Sequence, residues 1–115
     1  MFPTECSAGF LTLYIFVITI IKVQYEWDEQ KRRENLKRHG LDFRDAAKVY
    51  EHPVKMTIDS RKRGEDRKID IAPIEETLIV MTLVYIERGP VVRIISLRRA
   101  SRKERSYYYE YIENS

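Results

Sequence analysis

Thr77-Leu-Ile-Val-Met-Thr-Leu-Val-Tyr-Ile-Glu-Arg-Gly-Pro-Val-Val-Arg-Ile-Ile-Ser-Leu-Arg-Arg-Ala-Ser101 is the stretch that decides the fold. Ile, Val, Leu and Tyr crowd both halves, and β-branched and aromatic side chains favour strands. Arg88-Gly89-Pro90 interrupts them and is a tight connection, so the strands predicted at Thr77 to Glu87 and Val91 to Arg99 form an antiparallel hairpin. Ser101 then precedes Glu104 by three residues, the spacing of a capping box, and a helix opens there and runs to about Ile112.

Upstream of the hairpin, Arg67 to Ala72 reads as a third strand and Val54 to Ile58 as a short one, with a polar loop from Asp59 to Glu65 that contains Gly64. Asp42 caps a helix from Phe43 to about Tyr50, whose Phe43, Ala46, Ala47 and Tyr50 form an apolar stripe, and Pro53 closes it. Asp28 caps an earlier helix, Glu29 to His39, with Glu29 in its first turn, basic residues in its last and Gly40 as its stop. Gln24 to Trp27 is a short strand. The order β-α-α-β-β-β-α predicts an α+β domain, a small antiparallel sheet with helices packed against it.

A chain of 115 residues holds one domain with a single modest core. With 34% charged and 43% hydrophobic residues it is neither disordered nor an ordinary membrane protein. The net charge of +3 hides two basic blocks. Lys31, Arg32, Arg33, Lys37 and Arg38 face only Glu34 in one; Arg88, Arg93, Arg98, Arg99, Arg102, Lys103 and Arg105 face only Glu104 in the other. Two such blocks on a small domain suit a polyanion partner. The lone Cys6 excludes an intramolecular disulfide and fits a reducing cytoplasm. No Cys/His cluster or carboxylate group stands at metal-ligand spacing, so no metal is expected; no other cofactor and no small-molecule ligand is expected either.

Residues 1–23 form an apolar leader ahead of a domain at 24–115. Phe10 to Ile21 is almost unbroken in apolarity, but a spanning helix needs about 20 such residues. It also lacks the basic start and small-residue cleavage site of a secretory signal. A misassigned start codon, an extra strand or helix packed on the domain, and a membrane anchor are the readings open for it; a membrane location is not the expected one.

Two groups of residues suggest chemistry. Lys31, Asn35 and His39 are four apart, in line with Trp27, and share one helical face that offers a cation, an amide and an imidazole. The helix has Leu36 as its sole apolar residue, so a solvated helix held by Leu36, Trp27 and Leu41 accounts for it equally. In Val91 to Ala100 strict alternation puts Arg93 and Arg99 on one face with Ile95 and Leu97, and Ser96 and Arg98 on the other. An arginine among β-branched residues loses hydration, a cost offset by a paired carboxylate, for which Glu65 and Glu87 are available, or by a phosphate.

Three ordered motifs resemble the BrnT toxin family: Glu26-Trp-Asp-x-x-Lys31 followed by Asn35-x-x-Arg-His-Gly40 and Phe43; Gly64-Glu-Asp-Arg67 ahead of a strand; and Glu87-Arg88 followed by Arg93-Ile-Ile-Ser-x-Arg-Arg-Ala-Ser101, Glu104-Arg105 and Tyr108. The resemblance covers about Gln24 to Glu110. The chain departs from it near Ala72-Pro73, where Gly is common in the family, and at Ile86, where Thr is. It implies a fold related to RelE-type endoribonucleases, metal-independent RNA cleavage as the toxic activity, and neutralisation by a BrnA-type antitoxin, through which the complex binds operator DNA. On that implication Arg67, Arg93 and Arg99 are candidate phosphate ligands, Lys31 and His39 candidates for proton transfer, with Glu65 behind them. Arg88, Arg98, Arg102 and Trp27 are candidate RNA contacts, and Phe43 or Tyr108 candidate stacking platforms. The competing class is a non-catalytic basic module that binds RNA or a protein partner.

Overall fold

Strands occupy the apolar stretches and helices the capped ones in the computed structural model, which describes residues 23–115. The strands are β1 (Gln24–Glu26), β2 (Met56–Lys62), β3 (Glu65–Ile74), β4 (Ile79–Arg88) and β5 (Val91–Arg99), joined in one sheet of order β1-β5-β4-β3-β2. The helices are α1 (Glu29–His39), a 3-10 turn (Phe43–Asp45) running into α2 (Ala46–Tyr50), and α3 (Arg102–Glu113). All but Val23 of the leader lies outside the described residues. Among the described residues no helix is long and apolar enough to cross a membrane.

The α+β class is as expected, with two differences in the sheet. β2 to β5 form an antiparallel meander, but β1 runs parallel to β5, pairing Gln24 with Val91 and Glu26 with Arg93, so the sheet is mixed. Three residues of strand carry no signal of direction. The loop expected at Asp59 to Glu65 is largely strand: Thr57 to Lys62 pair with Asp70 to Glu65. Its polar side chains suit an edge, where one side of the strand stays in water. Arg63 and Gly64 close the hairpin, both left-handed at φ 55° and 75°. Two consecutive positive φ values make the type I′ turn, whose twist matches that of the strands it joins.

The caps are built as their residue types dictate. The Asp28 carboxylate accepts from the backbone N–H groups of Gln30 and Lys31, and the Gly40 N–H closes α1 on the Leu36 carbonyl. At the start of α3 the Glu104 N–H donates to the Ser101 hydroxyl while the Ser101 N–H donates to the Glu104 carboxylate.

One irregularity re-phases β5. Leu83 pairs with Leu97 and Val84 with Ser96, but Tyr85 pairs with Ile94, leaving Ile95 as an extra residue in a β-bulge. Val92, Ile94 and Leu97 therefore share one face, where they join Ala72, Ile74, Met81, Leu83 and Tyr85 under Phe43, Ala46 and Val49. The opposite face holds a smaller core of Met56, Ile71, Val80 and Ala100 around Tyr108 of α3. Burying a side chain such as Leu97 stabilises by roughly 1.5–3 kcal/mol, enough to enforce the bulge: strict alternation would turn Leu97 out and Arg98 in.

A polar network pins the face under α2. Asp70 is fully buried and accepts from Lys55 Nζ at 2.8 Å, Thr57 Oγ1 at 2.7 Å and the Tyr85 hydroxyl at 2.9 Å. Tyr50 and Lys68 both bond Glu87, at 2.6 and 2.9 Å, and hold its carboxyl below the usual range. Burial first, then the neighbouring Asp70 charge, raises the Tyr85 phenol.

Candidate active site

α1 has no buried apolar stripe, for Leu36 is 40% exposed. The residue that seats it is Asn35, 8% exposed. β1 pairs with β5 only as far as Arg93, so beyond that point the β5 edge needs another partner. Asn35 Nδ2 donates to the Leu97 carbonyl at 2.7 Å, and the Leu97 N–H donates to Asn35 Oδ1 at 3.3 Å. The side-chain amide thus does what a neighbouring strand would do. The ligand-binding amide expected at Asn35 is corrected accordingly: both of its N–H donors are spent on backbone carbonyls, those of Leu41 and Leu97.

The helical face expected to carry Lys31 and His39 does look onto the sheet. Lys31, Glu34, Asn35, Arg38 and His39 of α1 and Ile95 and Ser96 of β5 line a groove of about 230 Å³. His39 and Ser96 are half-buried; Lys31 and Arg38 are exposed. Arg38 and Ser96 were not singled out by sequence as groove residues. Arg38 was legible, lying at helical spacing from Lys31 and Asn35. Ser96 was placed away from Arg93 by strict alternation, and the bulge returns it to the Arg93 side.

The arginines divide. Register places Arg67 one step beyond the Lys68–Tyr85 pair, opposite Ile86, and Ile86 pairs with Arg93, which pairs with Glu26. Arg67 and Arg93 therefore flank Ile86 in one row across the face opposite the main core. Two strand spacings put their backbones about 10 Å apart. Arg93 Nη1 stands 3.4 Å from Glu26 Oε1, and Arg67 Nη2 stands 3.4 Å from Glu65 Oε1. Both contacts are long for charged hydrogen bonds. Arg67 Nε is buried with no partner among the described residues. Arg88 lies exposed at the end of β4, on this same face.

Other expectations are corrected. Arg99 does not share a face with Arg93: the bulge puts it with Leu97, exposed at the end of β5 beside Met81. Glu87, expected to pair with a sheet arginine, bonds Tyr50 and Lys68 instead; Glu26, which opens the first family motif but was not expected as an arginine partner, is the partner of Arg93. Arg98, expected to face RNA, grips Glu104 with both nitrogens at 2.7 and 2.8 Å. That grip, aided by the Ser101 backbone, holds the Glu104 carboxyl down at about 2. Trp27 packs edge-on to Phe43 at 6.3 Å and donates to Glu29, so its ring belongs to the main core. Phe43 and Tyr108 are each 1% exposed and offer no stacking surface. Arg102 is exposed in the first turn of α3.

The groove and the arginine row supply cations for an anionic substrate and, at His39, an imidazole whose ring nitrogens can donate and accept hydrogen bonds. Among the described residues no three His, Cys, Asp or Glu side chains form a metal-ligand cluster. Residues 27–104 match the family model described as the ribonuclease toxin BrnT of type II toxin–antitoxin systems. The match covers more than half of the chain, and the chain belongs to that family. No curated protein matches it.

Proposed function

We propose that this BrnT-family ribonuclease toxin cleaves RNA by metal-independent phosphodiester transfer at the groove between α1 and the bulged part of β5. The observation that carries the reading is that Lys31, Arg38 and His39 line one groove with Ser96, on the sheet face that also bears Arg67 and Arg93. RNA brings its own nucleophile. The 2′-oxygen attacks the adjacent phosphorus, its proton passes to a base, and the departing 5′-oxygen takes a proton from an acid. The products are a 2′,3′-cyclic phosphate and a free 5′-hydroxyl. Lys31 and His39 carry the proton transfers; Arg67 and Arg93 hold the phosphate oxygens and stabilise charge that grows in the transition state. Arginine suits this role because its planar fork binds two oxygens and stays charged. Arg99, exposed at the strand end, guides the RNA strand along with Arg88 and Arg102.

The unit that acts is residues 24–115, working in the cytoplasm, and a cognate BrnA-type antitoxin neutralises it by covering the basic groove and carries the complex to operator DNA. The family, a type II toxin–antitoxin one, supports a protein antitoxin as partner. The test is incubation of the purified protein with single-stranded RNA in excess chelator. Cleavage with cyclic-phosphate ends, blocked by a 2′-deoxy nucleotide at the scissile position, is the expected result. RNA that is bound but left intact would favour a binding module, and cleavage indifferent to the 2′-hydroxyl would overturn the mechanism.

A further inference from the structure

A buried amide is the least expected feature of a helix as polar as α1. Asn35 makes three hydrogen bonds to backbone groups, two to Leu97 and one from Nδ2 to the Leu41 carbonyl at 2.9 Å. Two bonds to one residue of β5 fix both the height of the helix along the strand and its rotation, which a single bond leaves free. The third ties down the chain just after Gly40, and with it the last turn, where His39 sits. Lys31 and His39 lie four residues either side of Asn35, each about 6 Å along the axis from it. Asn35 is thus the fixed point midway between the two groups that face Ser96.

We infer that Asn35 is a positioning residue for RNA cleavage: its bridge to Leu97 holds α1 in register with the bulge at Ile95, so that Lys31 and His39 meet one phosphate together. This rests on the reading of the groove as the active site. α1 does not depend on Asn35 for its existence. Asp28 caps it, and Arg32, bonded to Glu29 and to Asp42 at 3.1 Å, ties it to the following turn. Loss of the bridge leaves a helix that is present but free to shift, and a displacement of about 1 Å at reacting groups can cost about 100-fold in rate.

The test is a double-mutant cycle on RNA cleavage with purified full-length Asn35→Ala, His39→Ala and the combined variant, with folded fraction read by thermal melting. Asn35→Ala is expected to lower kcat about 10- to 100-fold with KM within about threefold, and to add less than about threefold in the His39→Ala background. The same loss in both backgrounds, or a loss that tracks the folded fraction, overturns the inference alone. If Asn35→Ala does not fold, Asn35→Asp carries the same cycle, since it keeps the side chain's shape and the acceptor for the Leu97 N–H. Failure of both to fold marks Asn35 as structural and overturns the inference. Should Lys31→Ala and His39→Ala both cleave at the wild-type rate, the reading of the groove falls first and this inference with it.

Discussion

Arg93 and Arg98 leave the same strand toward the same face of the sheet, five residues apart, and their surroundings differ. Arg98 meets Glu104 through two short bonds, and that carboxylate also takes the Ser101 N–H and the Thr82 hydroxyl. Arg93 meets Glu26 through one contact at 3.4 Å, from the end of a three-residue strand. At the first end the guanidinium is committed to holding α3 on the sheet. At the second it is half-buried, weakly paired, and in a row with Arg67. The lesson is that a basic block in sequence is not one functional unit: the arginines of β5 divide into a fastener and a candidate ligand, and only their partners tell them apart.

The largest effect should come from the groove that lies beside the weakly paired end. With Lys31 and His39 both replaced by Ala, the proposed proton-transfer groups are gone, and RNA cleavage should fall by roughly three to four orders of magnitude while the melting temperature stays near wild type, for both side chains line an open groove. Full activity in this variant would move the chemistry away from α1.

The tightly paired end should answer in stability. Arg98→Ala leaves Glu104 without its main partner, and a loss of about 1–2 kcal/mol is expected, at the low end for charged hydrogen bonds because Arg98 is about a third exposed. Cleavage per folded molecule should be close to wild type. The pH dependence follows from the sign of the shift. Glu104 titrates at about 2 in the folded chain against an ordinary 4.5, so its contribution is complete above pH 4.5 and is lost as pH falls from 4.5 toward 2. Chemical denaturation across that window should show a shallower loss of stability for Glu104→Gln than for wild type; parallel curves would mean that the pair matters less than its geometry implies.

The smallest effect belongs to Arg102, exposed in the first turn of α3. Arg102→Ala should weaken RNA binding a few-fold at low salt and reduce the salt dependence by roughly one counterion, with turnover nearly intact. A change in turnover rather than binding would place Arg102 closer to the chemistry than α3 allows.

Much of this molecule was legible in sequence wherever a local signal existed. The strand at Val91 to Arg99, the Asp28 and Ser101 caps and the Gly40 stop are each dictated by neighbours within four residues, and all stand as expected. The direction of β1 is set by pairing with a strand some 67 positions away, and three residues cannot encode it. The bulge at Ile95 has no Gly or Pro to announce it. It arises because Leu97 gains by burial and Arg98 by meeting Glu104, two tertiary effects that override alternation. That one extra residue separated Arg99 from Arg93 and brought Ser96 into the groove. The Asp70 network had a signal, a charged residue between Ile69 and Ile71, whose partners Lys55 and Thr57 become evident only once β2 is paired with β3.

Single-turnover RNA cleavage by Arg93→Ala and Arg98→Ala, each normalised to its folded fraction, tests the division most directly. Loss of one transition-state donor slows cleavage by roughly 100- to 1,000-fold, and that loss is predicted for Arg93→Ala with stability near wild type, against near-wild-type cleavage and reduced stability for Arg98→Ala. Wild-type cleavage by folded Arg93→Ala, or the greater loss of rate in Arg98→Ala, would contradict it.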